Sequence, residues 1–168
     1  MIGTPFELTH EDSNPLDMVE DLAQEKGWRF MRAEENFLTI SAKGTKGDFE
    51  ICLEWQEEFS ALLMACSVPV EISDAHYEAA VRTLESINQN MWLGHFDLSN
   101  KGRFPTFRHT LLFRMIPAGI AIDIINDALD IAVGECTRFH STFQMLHAGD
   151  VQLQDNLQAI IFETVGEA

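Results

Sequence analysis

The sequence has few basic residues and few cysteines. Eleven Lys and Arg oppose 27 Asp and Glu, which gives a formal net charge of −16. Nucleic acids and anionic lipid surfaces bind proteins through Lys and Arg, so we expect neither as a partner. The three cysteines, Cys52, Cys66 and Cys136, lie in apolar runs and lack C-x-x-C spacing. This pattern favours buried, reduced thiols over disulfides.

Long apolar runs are also missing. No run approaches the roughly 18 residues that a membrane-spanning helix needs, so we expect no membrane partner. The first residues lack the basic and apolar regions of a secretory signal peptide. Together with the reduced cysteines, these features predict a cytoplasmic location. The 168 residues, 46% of them hydrophobic, are typical of one globular domain spanning 1–168.

The familiar chemical motifs are absent as well. The chain contains no Walker A loop, no G-x-S-x-G nucleophile motif and no H-E-x-x-H zinc motif. Gly44 and Gly47 stand before a predicted strand and not before a helix, so they indicate a hairpin turn and not a phosphate loop. The sequence therefore predicts no catalytic residue, no metal and no cofactor.

The acidic residues concentrate at the two ends of the chain. Residues 1–27 contain seven acids and one base, and residues 118–168 contain eight acids and one base. Both ends include segments that we predict to be helical. The acids favour solubility, and the alternative role is electrostatic steering of a basic partner.

Hydrophobic periodicity predicts an α+β domain. Asn14 and Pro15 begin a helix that ends near Gly27, because Asn caps helices, Pro suits the first helical position and Gly stops them. In the rest of the chain, hydrophobic residues recur with a period of 2 where we predict strands and of 3.6 where we predict helices. This periodicity predicts strands at 28–33, 37–43, 48–56 and 59–70, a helix at 74–90, strands at 91–98 and 106–115, a helix at 118–147 and a short helix after Asp150.

This order is α-β-β-β-β-α-β-β-α, with the short last helix added. Strands in runs with short connections favour an antiparallel sheet with helices packed on one face. The long helix would extend about 42 Å, more than a small domain needs. Either Gly134 interrupts it, or part of its apolar face meets a partner or a second copy. The second option predicts a homodimer.

Two histidines and an aspartate suggest an alternative. His95, Asp97 and His109 fall in the predicted hairpin, and closure around Lys101–Gly102 would place the histidines nearly opposite each other. Two imidazoles and a carboxylate are a zinc ligand set with an open position. We favour the simpler interpretation, in which the histidines hydrogen-bond to the backbone or to Asp97. Cys136 and His140 lie one helical turn apart, and core packing is favoured there over a nucleophile pair, because no third orienting group is apparent.

Several polar and aromatic residues are candidates for partner recognition. There are two groups of charged residues among them: arginines on the more polar face of a strand, and a Glu–Arg pair on a helix. They form either surface ion pairs or a patch that recognises a partner. We therefore predict that partner binding uses Trp92, His95, Arg108, Arg114, Glu135, Arg138 and Phe139.

The sequence resembles the bacterial YbjN-domain family, and its alphaproteobacterial branch in particular. The resemblance covers residues 14–147 and is carried by Asn14-Pro15-Leu16-Asp17, Ile87-Asn88, Met91–Leu98, Arg108–Arg114, Glu135–Phe139 and Phe143-Gln144. It implies a fold like that of type III secretion chaperones, which are small acidic domains that dimerise and hold an extended segment of a partner. It also implies a role in sensory regulation, and it supplies no catalytic residues. His140-Ser141-Thr142 departs from the Tyr-Pro-Ala-like stretch expected there, and 150–168 form a helical extension outside the resemblance.

These observations lead to one main hypothesis and two alternatives. The main hypothesis is a non-enzymatic protein-binding module, either chaperone-like or a regulatory adaptor in a bacterial cytoplasm. It would use the hairpin at 91–115 and the long helix at 118–147 to contact a protein partner or a second copy. The alternatives are a small metal-dependent enzyme built on His95, His109 and Asp97, and a ligand sensor with an aromatic pocket between the sheet and the helices.

Overall fold

A computed structural model describes residues 14–99, 103–150 and 153–163. The elements in chain order are α1 (Pro15–Glu25), β1 (Arg29–Glu34), β2 (Phe37–Gly44), β3 (Gly47–Gln56), β4 (Ala61–Ser67), α2 (Tyr77–Asn88), β5 (His95–Leu98), β6 (Pro105–Leu112), α3 (Ala118–Ala148) and α4 (Leu153–Glu163). Short 3₁₀ turns occupy Glu57–Phe59 and Asp74–His76.

The strands form one antiparallel sheet in the order β1-β2-β3-β4-β6-β5. Side chains alternate between its two faces, as the pleat requires. One face is buried under α1 and α3, and its central members are Leu38, Ile40, Phe49, Ile51, Leu53, Leu62, Met64, Cys66 and Phe107. The predicted α+β class, with an antiparallel sheet covered by helices on one face, is confirmed.

The beginning of α1 follows its sequence signals. Asn14 Oδ1 accepts a hydrogen bond from the backbone N–H of Leu16 at 3.0 Å, and Pro15 takes the first helical position. Gly27 lies just beyond the helix with a φ of +67°, a left-handed conformation that favours glycine. Between β2 and β3, Gly44 and Gly47 form the predicted hairpin turn.

Three predicted strands are shorter in the structure. The segment 91–98 is a strand only from His95, because Gly94 has a φ of +68° and a Cβ there would lie 2.4 Å from the Phe107 ring. The predicted strand at 59–70 spans 61–67, since a 3₁₀ turn and Ser60, with a φ of +48°, precede it. The last strand ends at Leu112, three residues earlier than predicted.

The second helix also differs in detail. Asp74–His76 is a 3₁₀ turn, and the α-helix begins at Tyr77. Its buried residues are Ala80, Thr83, Leu84 and Ile87, whereas Ala75 and Ala79 are exposed. The predicted helix at 74–90 therefore covers the core only from Ala80 onwards.

Gly134 does not interrupt α3. The helix runs over 31 residues, about 46 Å, because a single glycine costs only about 1 kcal/mol while Ala132 and Cys136 beside it are fully buried. The sheet, α1 and α4 pack against this helix. α4 buries Leu153 and Leu157 in the same core. The extension thus supplies in the same chain some of the cover that we had expected from a second copy.

Two predictions fall outside the described residues. The hairpin closure at Lys101–Gly102 lies in the gap at 100–102, and the capping of α4 by Asp150 depends on 151–152. Within the described part of the chain, none of the helices has both the length and the apolar character that crossing a membrane requires.

Candidate interaction surface

Among the residues that the structure describes, no helix packs on the second face of the sheet, and we call it the open face. It consists of the side chains that alternate with the core on β2, β3, β4 and β6. They are mostly polar and at least partly exposed: Thr39, Ser41, Glu50, Cys52, Glu54, Leu63, Ala65, Ser67, Arg108, Thr110 and Leu112.

Four large apolar side chains are exposed at one end of the open face, and we call them the apolar end. They are Phe59, Leu63, Leu112 and Met115, with exposed fractions of 60%, 37%, 65% and 86%. The strand register makes Leu63 and Leu112 diagonal neighbours, because Thr110 lies opposite Leu63 and Ala61 opposite Leu112. An exposed group of this kind on a folded domain is typical of a binding surface.

Short backbone links keep the apolar end together. The N–H of Phe113 donates to the carbonyl of Ser60 at 2.8 Å, which holds the turn carrying Phe59 against the end of β6. Met115 follows in a turn of its own, with a φ of +60°. Two β-strands and two turns therefore position these side chains.

The residues around the apolar end are mainly acidic. Glu54 lies opposite Leu63 in the sheet register, and Glu57 and Glu58 precede Phe59 in the 3₁₀ turn. All three are exposed. Arg114, one of the predicted partner-binding residues, is exposed at the same end, next to Met115. Three carboxylates and one guanidinium thus surround the apolar side chains.

Three other predicted residues lie on or next to the edge strand β5. Trp92 is 80% exposed in the loop before β5. His95 lies opposite Arg108 in the register, and both side chains belong to the open face. Arg108 Nε donates to Asp97 Oδ2 at 2.6 Å, while Asp97 Oδ1 is buried and has no hydrogen-bond partner among the described residues.

Asn88 closes the sheet edge at β5, and the sequence prediction did not assign it this role. Its side-chain oxygen accepts from the N–H of Phe96 at 2.8 Å, and its amide nitrogen donates to the carbonyl of Phe96 at 2.9 Å. One side chain of α2 therefore occupies both outward backbone groups of Phe96. Such cover prevents another strand from pairing at this edge.

The register corrects the prediction for the two histidines. His95 faces Arg108, whereas His109 faces Met64 on β4 and belongs to the opposite side of the sheet. Burial lowers the pKa of His109, and nearby His95 lowers it further. Among the described residues, no group of three or more His, Cys, Asp and Glu is arranged to hold a metal ion.

Cys136 and His140 are core residues. The Cys136 thiol contacts the carbonyl of Cys66 at 3.5 Å, and its hydrogen bond with Cys66 together with burial raises its pKa far above the ordinary value. Burial and the charge of Lys46 lower the pKa of His140, whose ring packs edge-on against Phe49 at 6.3 Å. A protonated, buried thiol is a poor nucleophile, which agrees with the preferred interpretation of this pair.

The three predicted residues on α3 hold the domain together. Glu135 and Arg138 form an ion pair at 3.3 Å, and Arg138 also donates to the carbonyl of Ile160 in α4 at 3.2 Å. Phe139 is 1% exposed and packs against Phe96. Its assignment to partner binding is wrong for this fold, because a side chain in the core cannot contact a partner.

Four aromatic side chains pack against one another between the sheet and α3. Phe96 contacts the rings of Phe107, Phe139 and Phe143, with centroid distances of 5.2 to 5.8 Å. These side chains pack together between the sheet and α3, in the edge-to-face geometry that aromatic cores prefer. Their close packing therefore contributes to the core.

Comparison with known proteins agrees with this architecture. A sequence model of the YbjN family, described as "Putative bacterial sensory transduction regulator", matches residues 15–145. The crystal structure of YbjN from E. coli, described as "a putative transcription regulator", superposes with a TM-score of 0.53 at 11% identity and covers 75% of this chain and 91% of that one. No curated protein shows a significant match to the sequence. The match over most of the sequence establishes that this chain belongs to the YbjN family.

Proposed function

We propose that this chain is a non-enzymatic regulatory module that binds a segment of another protein at the apolar end of its open face. The observation that carries the proposal is the exposure of Leu63 and Leu112 on the sheet and of Phe59 and Met115 in the turns beside them. The family description, which names regulators, supports the regulatory part.

The charges around the apolar end indicate what kind of segment it binds. Glu54, Glu57 and Glu58 create a negative potential there, and the chain as a whole has a net charge of −16. Opposite charge steers association and suppresses wrong partners. The partner segment should therefore present apolar side chains together with Lys or Arg. A second copy fits less well, because the same acidic surface would face itself in a two-fold dimer.

The proposal gives less weight to the expected homodimer. That expectation depended on an uncovered apolar face of the long helix, and in the fold the sheet, α1 and α4 pack against α3. We therefore place the main contact on the sheet and not on α3. Trp92, His95, Arg108 and Arg114 stay candidates for additional contacts.

A comparative capture experiment tests the proposal. The wild-type chain and a Leu112→Ser, Met115→Ser double variant serve as baits, and Val81→Ser is the control, because Val81 is also exposed but lies on α2. The proposal predicts proteins that the wild type and the control retain and the double variant loses, at least tenfold by mass spectrometry.

Cross-linking of the captured partner then identifies its contact segment, which should combine apolar and basic residues. Equal capture by all three baits would contradict the proposal, and so would self-association as the only product.

A further inference from the structure

A groove lies at the other end of the open face. It encloses about 320 Å³, which is near the lower limit of the roughly 300–1,000 Å³ found for ligand pockets. Two strand carboxylates, several hydroxyls and two apolar rings line it, among them Asp48, Glu50, Ser41, Ser67, Pro69 and Phe104. We call it the Pro69 groove.

The carboxylates of the Pro69 groove are available to a ligand. Asp48 and Glu50 alternate on β3, and both are exposed. In the strand register, Lys43 lies opposite Asp48, and Arg29 lies opposite Ser41. Neither of these basic side chains lines the groove. In the described part of the chain, neither carboxylate forms an ion pair with these or other cations.

The lining suits a cation carried on an apolar stem. Carboxylates accept the paired N–H donors of a guanidinium group in the strongest type of charged hydrogen bond. The hydroxyls of Ser41 and Ser67 can accept further donors. Phe104 offers an aromatic ring to a cation, and Pro69 offers apolar surface to a methylene chain.

We propose that the Pro69 groove receives an arginine side chain of the protein partner. The proposal extends the function proposed above and depends on it for the identity of the partner. Ser67 lies four residues along β4 from Leu63, which corresponds to about 13 Å. The partner segment should therefore carry its arginine about 13 Å from the apolar side chain that contacts Leu63.

The groove can be tested without the partner. N-acetylarginine methylamide is titrated into the isotope-labelled full chain, and backbone amide shifts are followed by NMR. N-acetylcitrulline methylamide, which has nearly the same shape and no charge, is the control ligand. We expect saturable shifts centred on Glu50 and Ser67 for the arginine compound only, and they should weaken as salt is added.

Variants locate the site. Glu50→Gln should weaken binding about two- to fivefold, the range for one exposed ion pair, and Asp48→Asn should have a similar effect. Glu85→Gln, which changes an exposed acid on α2, should leave the affinity unchanged. The amide spectrum of each variant shows whether it is folded. Equal shifts from arginine and citrulline, or equal affinity in all variants, would overturn the proposal.

The partner's contact segment separates this proposal from the function proposed above. Binding of a synthetic peptide with that sequence should weaken when its arginine is replaced by citrulline, and Glu50→Gln should reduce that difference. If the peptide binds the apolar end and the substitution has no effect, the groove proposal fails and the proposed function stands. If the Leu112→Ser, Met115→Ser variant binds the peptide normally, the proposed function fails and the groove must be judged on the arginine compound alone.

Discussion

The two faces of the sheet are built from the same strands but differ in burial. On β4, Leu62 is fully buried under the helices, while its neighbour Leu63 is 37% exposed on the open face. On β6, Leu111 is buried and Leu112 is exposed. Burial explains the leucines of the covered face, because they form the core. It does not explain those of the open face, for which we propose partner binding.

The largest expected effect is a difference in the free energy of unfolding between the Leu62→Ala and Leu63→Ala variants. Leu62→Ala removes a fully buried side chain and should lower the free energy of unfolding by about 2–5 kcal/mol. Leu63→Ala should change it by less than about 1 kcal/mol, because its side chain is already partly in water. Urea denaturation measures both. Similar losses in the two variants would show that the open face is covered in solution.

A smaller loss is expected at the covered sheet edge. Asn88→Ala leaves the N–H and carbonyl of Phe96 without their side-chain partner, and two such hydrogen bonds contribute about 1–3 kcal/mol together. Asn90→Ala is the matched control, since its amide bonds only the carbonyl of Ser86 on an exposed part of the chain. Thermal or urea denaturation compares them. Equal stability of both variants would exclude the edge-closing role of Asn88.

The covered face should also make stability depend on pH. Burial lowers the pKa of His140 from 6.5 in the folded chain. Below about pH 6.5 the unfolded chain therefore takes up more protons than the folded one, and the free energy of unfolding falls as the pH drops. His140→Met should make this fall smaller between pH 7 and pH 5, because carboxylates contribute equally in both proteins. If His140→Met leaves the pH dependence of the free energy of unfolding unchanged, that result would contradict a lowered pKa of His140 in the folded chain.

The smallest effect concerns Cys52 on the open face. Burial and the charge of Glu50 raise the pKa of its thiol. Glu50→Gln removes the second cause, so alkylation by iodoacetamide at pH 8 should become about twofold faster. Cys66 and Cys136 are buried, and the modified residue is therefore Cys52. A rate that does not change, or that changes as much in Glu58→Gln, would place Glu50 away from the thiol.

Much of the fold could be predicted because local patterns determine it. The alternation over 48–56 gave β3 to within one residue, and Asn14 with Pro15 gave the start of α1. The apolar periodicity of α3 predicted a long helix, but it left open whether Gly134 interrupts that helix. The periodicity also does not show which elements cover the apolar face. The packing of α4 against α3 is a long-range contact that no local pattern reveals.

The candidate site could be predicted only in part. A shift of one residue in strand register moves every side chain to the other face, and the register of the last hairpin depends on a turn that the sequence left open. The histidines were therefore placed together although they lie on opposite faces. One useful signal was present: Leu112 interrupts the polar side of an alternating strand. An apolar residue in a polar position is what a binding surface on a sheet would produce.

Photo-cross-linking from the open face tests the central claim most directly. A benzoylphenylalanine at position 112 is compared with one at position 81, on α2, in cells that express the full chain. We predict a discrete adduct with a different protein from position 112 and none from position 81. Adducts of equal yield from both positions, or an adduct only with a second copy of the chain, would contradict the account.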